Sequence, residues 1–209
     1  MPTLDSMLAR YIHDSLRENL GKKQVKEIEE ELYSWYKIDL EESMMQFDAL
    51  DRVLVNMYGK RGALALEKQF VLPVIETSTG TNSKNMVTFS LNDADLTDEM
   101  FAVIKDDSSM KIINMLKEKP MTAQQIMIHK SLKDDYSEKT IYRKIGELSD
   151  IGCIGISGHT KSDDNRRVRI YESVFDAIDL RIEGNTMAIR ITVREKTVRK
   201  SLILSTVFS

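Results

Sequence analysis

Between Ser108 and Tyr171 a helix-turn-helix pattern runs directly into a basic β-hairpin, and few folds accommodate that order. Ser108 and Ser109 suit a helix N-terminus, Met110, Ile113 and Leu116 recur at helical spacing, and Pro120 ends the run. Thr122 is placed to cap a second, shorter helix carrying Ile126, after which Lys133-Asp134-Asp135-Tyr136 reads as a loop. Ser137 opens a third helix, with Ile141, Ile145 and Leu148 on one face and Lys139, Thr140, Tyr142 and Arg143 on the other. An apolar segment, Cys153 to Ile156, and the segment Arg166 to Tyr171 flank a polar tip from Gly158 to Asn165, which is the pattern of a two-stranded hairpin. Three helices closed by such a hairpin predict a winged helix-turn-helix.

The rest of the chain predicts two further regions. Leu4, Leu8, Ile12, Leu16 and Leu20 step by four, Met7 and Tyr11 widen the stripe, and Gly21 offers a stop. Val25 to Tyr36, Leu40 to Met57 (capped by Asp39 and ended by Gly59) and Ala63 to Val71 (ended by Pro73) complete a bundle of four short helices over 1–76. A Ser/Thr/Gly/Asn run from Thr77 to Lys84 begins a linking region, 77–107, with a short strand at Met86–Phe89 and a helix at Thr97–Lys105. The winged unit then covers 108–193 and includes a second hairpin, Ala177–Ile182 and Met187–Val193, around Glu183-Gly184-Asn185. An apolar tail, 194–209, is expected to fold back on the domain or to cross a dimer interface. The expected class is α+β: an N-terminal helical bundle plus a C-terminal winged helix-turn-helix with an extra β-hairpin.

Charge separates these regions. Residues 1–107 hold 12 Lys+Arg against 20 Asp+Glu, whereas residues 108–209 hold 18 against 13, so a net −8 half is joined to a net +5 half. That split suits one part that meets nucleic acid and one that does not. No apolar run approaches the roughly 20 residues that span a bilayer, and Met1 to Asp5 lacks the basic-then-apolar pattern of a secretory leader. The single cysteine, Cys153, cannot form an internal disulfide and fits a reducing compartment, so a cytoplasmic protein is expected.

The expected partner is double-stranded DNA. Ser137, Lys139, Thr140, Tyr142, Arg143 and Lys144 on the third helix, with Lys161, Arg166 and Arg167 in the wing, are the candidate contacts. The first half of such a helix enters the major groove, where Arg and Lys reach phosphates and guanine edges. Asp134, Asp135 and Glu138 oppose this, and Asp163-Asp164 dilute the hairpin tip, so a surface for protein contacts is the alternative.

Other chemistry finds less footing. Cys153 lies on an apolar strand and His13, His129 and His159 are scattered, so no metal site or cofactor is expected. Gly59-Lys60-Arg61-Gly62 lacks the length and the Ser/Thr of a phosphate loop, and no catalytic motif appears. Trp35, Tyr36, Phe47 and Tyr58 fit a helical core at least as well as a ligand pocket. A homodimer is expected because one winged unit meets few phosphates, with the Leu4–Leu20 stripe or the tail as the joining surface.

Two stretches carry family resemblances. Asp107 to Ile113, Ser137 to Ile145, and Arg167 to Tyr171 leading into Phe175 and the Ile178–Val193 hairpin resemble the winged-helix transcriptional regulators of archaea, broadly those of the arsenic-repressor family. Leu16 to Gly21, Tyr33 to Tyr36 and Phe47 to Gly59 are similar to a small helical output domain of nitrifying archaea. The first resemblance implies a regulator of transcription but not its target genes.

Overall fold

The structure is a computed structural model that describes residues 4–77, 86–162, 164–183 and 186–208. It is a mixed α+β fold in which both sheets are antiparallel. Four elements run α1 (Leu4–Asn19), α2 (Lys22–Tyr36), α3 (Leu40–Met45) and α4 (Phe47–Val71). Asp39 caps α3 by accepting from the Glu42 amide at 2.7 Å. α4 is two helical arms joined at Gly59, whose φ of 71° and ψ of 165° belong to a region that side-chain-bearing residues avoid. Glu67, on the second arm, is buried beside Asp51 of the first. Burial, then the Asp51 charge, pushes its carboxyl up to about 8.

The Leu4–Leu20 stripe is consumed inside the chain. Leu4, Met7, Leu8, Tyr11, Ile12, Leu16 and Leu20 are all buried, because α1 is packed by α2, α3, α4 and α9 (Glu138–Ile151) and by α11 (Leu202–Phe208). A sequence stripe too wide for one partner here serves several, so the expectation that it joins two copies is corrected. The tail likewise folds back: Ile203 and Leu204 are buried, and α11 lies on α4 and α1. Asp5 of α1 accepts hydrogen bonds from Ser201 Oγ and, at 3.3 Å, from the Leu202 amide.

The remaining elements are β1 (Ile75–Thr77), β2 (Met86–Leu91), α5 (Ala94–Lys105), α6 (Asp107–Glu118), β3 (Met121–Thr122), α7 (Ala123–Met127), α8 (Lys130–Lys133), α9, β4 (Ile154–Lys161), β5 (Arg167–Ser173), β6 (Ala177–Glu183), β7 (Thr186–Arg194), α10 (Glu195–Val198) and α11. The first sheet has the order β1-β2-β7-β6. The strand read from Met86 is therefore more than part of a linker, since it pairs with β7 from Met86↔Arg194 to Leu91↔Ile189. Phe89, Leu91, Ile189, Ile191 and Val193 are buried, and α5 covers β2 and β7 with Leu96, Met100 and Val103. On the other face Thr88 Oγ1 and Thr192 Oγ1 hydrogen-bond at 2.9 Å.

The second sheet has the order β3-β5-β4 and packs on α6 and α9. α6 begins one residue before Ser108 because Asp106, rather than either serine, is the cap: its Oδ2 accepts from the Ser109 amide at 2.8 Å and from both serine hydroxyls. A capping box of Thr122 and Gln125 opens α7. The segment before the expected loop forms the extra turn α8, capped by His129. Of the sequence expectations, most of the 77–84 boundary run, Asp163 at the hairpin tip and Gly184-Asn185 in the second turn lie outside the described residues. One hydrophobic cluster runs through the bundle, both sheets and α11.

Candidate functional site

α9 is positioned from both ends. Ser137 caps it, accepting from the Thr140 amide at 3.2 Å, and its hydroxyl lies 2.9 Å from Thr140 Oγ1. At the other end Gly152 closes the helix with a φ of 87°. A β-carbon at Gly152 would lie 2.9 Å from Met7 Cβ and 3.1 Å from the Met7 amide nitrogen, so only glycine lets α1 seat there. Ile141, Ile145 and Leu148 anchor the inner face.

The outer face of α9 carries Ser137, Lys139, Tyr142 and Arg143 in solvent, with Thr140 half-buried. Arg143 forms an ion pair with Glu147 one turn on, at 2.5 Å. Both side chains are largely exposed, so this pair contributes little to stability and opens readily. Lys144 is placed differently from its neighbours. It turns inward to Asp106 at 3.3 Å and Glu147 at 3.0 Å, with only 17% of its side chain exposed. Burial works against its charge, but Glu147 and Asp106 outweigh it and hold the ammonium above its ordinary value. Asp106 shows the converse: part-burial raises its carboxyl, and hydrogen bonds from Ser109, Ser108 and Lys144 bring it well below the usual range. Lys144 thus fastens α9 to the start of α6.

The acidic residues before α9 are partly neutralised. Lys111 reaches Asp107 at 2.8 Å and Asp135 at 2.9 Å, and the Tyr136 hydroxyl donates to Asp107 at 2.8 Å. Asp134 and Glu138 stay exposed.

The hairpin β4–β5 carries an arrangement that its sequence only partly disclosed. Its register opposes Lys161 to Arg167 and His159 to Arg169. Cross-strand partners share a face and side chains alternate along a strand, so His159, Lys161, Arg167 and Arg169 all project from one face. All four are exposed. Lys161 and Arg167 set like charges directly opposite each other, which destabilises a hairpin, and Arg167 Nη2 also donates to His159 Nδ1 at 3.2 Å. Arg166 stands at the turn, paired with Asp164 at 2.9 Å, where Asn165 takes a left-handed φ of 64°. Arg169 was missed as a contact, although the period-2 alternation Arg167-Val168-Arg169 carried the signal.

The remaining candidates lie apart. Cys153 is buried with its thiol 3.8 Å from Met100 Sδ, and burial, with the Glu99 charge, pushes it up to about 12. Among the described residues no three His, Cys, Asp or Glu side chains gather as metal ligands, and no helix is long and apolar enough to cross a membrane. Of the aromatic group, Phe47 is buried and Trp35 is half in solvent, 6.3 Å centroid to centroid from Tyr36. Comparison with models of protein families finds no match, and neither does comparison with curated proteins.

Proposed function

We propose that the chain is a sequence-specific DNA-binding regulator of transcription, with α6, α7–α8 and α9 as a helix-turn-helix, α9 as the recognition helix and β4–β5 as the wing. The observation that carries this reading is the basic hairpin face, where Lys161 opposes the like charge of Arg167, and Arg169 stands opposite His159, all four exposed. An arrangement that costs stability in the free protein is relieved by a polyanion, and a phosphate backbone is the polyanion that a projecting hairpin and a solvent-facing helix meet together. The element order helix–strand–three helices–hairpin and the neutralisation of Asp135 by Lys111 support it as well. In this reading Lys139, Thr140, Tyr142 and Arg143 face base edges and phosphates, Lys161, Arg166, Arg167 and Arg169 track the backbone, and Lys144 holds α9 in place. No catalytic step and no cofactor belong to it. We propose further that the regulator acts as a homodimer on paired half-sites, because one helix and one hairpin meet few phosphates. A monomer in light scattering at tens of micromolar excludes that assembly.

The test is binding of the full chain to genomic fragments across a salt series. R166A/R167A is expected to weaken all sequences alike and to flatten the salt dependence by about two phosphate contacts. R143A is expected to weaken a selected site by about 1–3 kcal/mol more than bulk DNA if it reads a base. Unchanged affinity in both variants removes the helix and the hairpin from the interface. Exposed Asp134 and Glu138 at the start of α9 favour a second reading, an adaptor that docks on the transcription machinery. Absence of any gel shift on bulk DNA at low salt, with a stable protein partner in its place, selects the adaptor.

A further inference from the structure

A cleft of about 370 Å³ opens where the base of the β4–β5 hairpin meets α10 and the start of α11. Its volume lies in the range of small-molecule sites. The walls come from four places distant in sequence: Leu4 of α1, Gly155 to Ser157 of β4, Glu172 to Val174 around the end of β5, and Arg194 to Ser201. Leu4, Ile156 and Val174 supply apolar surface, with Ser157 and Thr197 as hydroxyls.

The charge of the lining has one dominant sign. Arg194, Lys196 and Lys200 stand against one carboxylate, Glu172. Lys196 and Lys200 are four residues apart across the end of α10, a spacing at which like charges repel on a helix. Glu195, the acid nearest in sequence to both, is occupied by Arg199 at 2.6 Å. Arg194 reaches Asp176 at 3.3 Å, and Lys196 and Lys200 have no ion pair among the described residues.

We infer that this cleft is a binding site for a small organic anion, one that sets a carboxylate, phosphate or sulfonate between Lys196, Lys200 and Arg194 and lays an apolar portion against Ile156, Val174 and Leu4. A nucleic-acid backbone is the poorer occupant, because its sugar-phosphate chain has no apolar portion for the inner wall. The site lies at the base of the hairpin, away from the Lys161–Arg167 end, so the inference does not depend on what the hairpin tip binds.

The probe is 8-anilino-1-naphthalenesulfonate, which joins one sulfonate to apolar rings, titrated by fluorescence into the full chain. Saturable binding at one site is expected, with amide shift changes in heteronuclear NMR centred on Gly155, Glu172, Val174 and Lys200. K196A/K200A and the cleft-filling V174W are each expected to weaken binding at least tenfold while the far-UV spectrum and melting curve are kept. K22A/K23A, two exposed lysines on α2, removes the same charge elsewhere and is expected to change nothing. Equal binding by all four proteins, a loss as large in K22A/K23A, shift changes centred elsewhere, or no saturable binding each overturns the assignment. If V174W does not fold, K196A/K200A with the NMR map decides alone.

Discussion

The two hairpins of the C-terminal half obey the same local grammar and end with opposite electrostatics. In β6–β7 the register sets Asp179 opposite Arg190, and Ile189, Ile191 and Val193 turn to a face that α5 covers. Its second strand is interior to a sheet, hydrogen-bonded to β2 on one side and β6 on the other. In β4–β5 the half nearest the turn opposes Lys161 to Arg167 and His159 to Arg169, and those four side chains stand in water. One hairpin is arranged for its own chain. The outer half of the other sets the like charges of Lys161 and Arg167 opposite each other in solvent. Cross-strand electrostatics, rather than strand propensity, separates the two hairpins here.

The largest test of this contrast removes the apolar anchor of the scaffold hairpin. I191A, at a fully buried position, is expected to lower unfolding free energy by about 2–5 kcal/mol in urea titration. A loss below about 0.5 kcal/mol shows that β7 is no more structural than the outer part of β4–β5.

A second test asks how the helical region handles charge. Glu67 is hidden beside Asp51, and its carboxyl is pushed up to about 8 in the folded protein against an ordinary 4.5. The folded state therefore binds a proton that the unfolded chain releases. The corresponding stability is complete below about pH 4.5, is lost as pH rises through the interval up to 8, and stays lost above it. E67Q is expected to melt with the wild type at pH 5 and several degrees above it at pH 9, by thermal circular dichroism. Parallel curves for the two proteins at both pH values contradict this.

The smallest effect has the most informative sign. K161E turns a like pair opposite Arg167 into an unlike one, and is expected to stabilise the free protein by about 0.2–1 kcal/mol while weakening binding to bulk DNA. Stability and binding moving together would mean that the basic face is a packing feature.

What the sequence disclosed follows from how far each signal reaches along the chain. Thr122, Ser137 and Asp39 each cap a helix as expected, because a cap involves residues three apart. The β6–β7 alternation was legible for the same reason. Lys144 was grouped with Arg143 because both follow Thr140 on one helix, yet its direction is set by Asp106, 38 positions earlier, which no periodicity in α9 encodes. The pairing of β2 with β7 spans about a hundred residues and leaves only a short strand signal at Met86. The Leu4–Leu20 stripe was read in full, but its width measures how many partners cover it and not whose chain they belong to. Of the candidate contacts, the helix face was legible from its period. The shared face of His159 and Arg169 needed the strand register.

The seat of Gly152 on Met7 has a mechanical consequence. The C-terminal end of α9 is wedged: at Gly152 it sits against Met7 of α1 with no room for a β-carbon, and α1 is itself braced by α3, α4 and α11. The position of this helix is thus set by folding, and any binding through it would have little positional freedom to surrender.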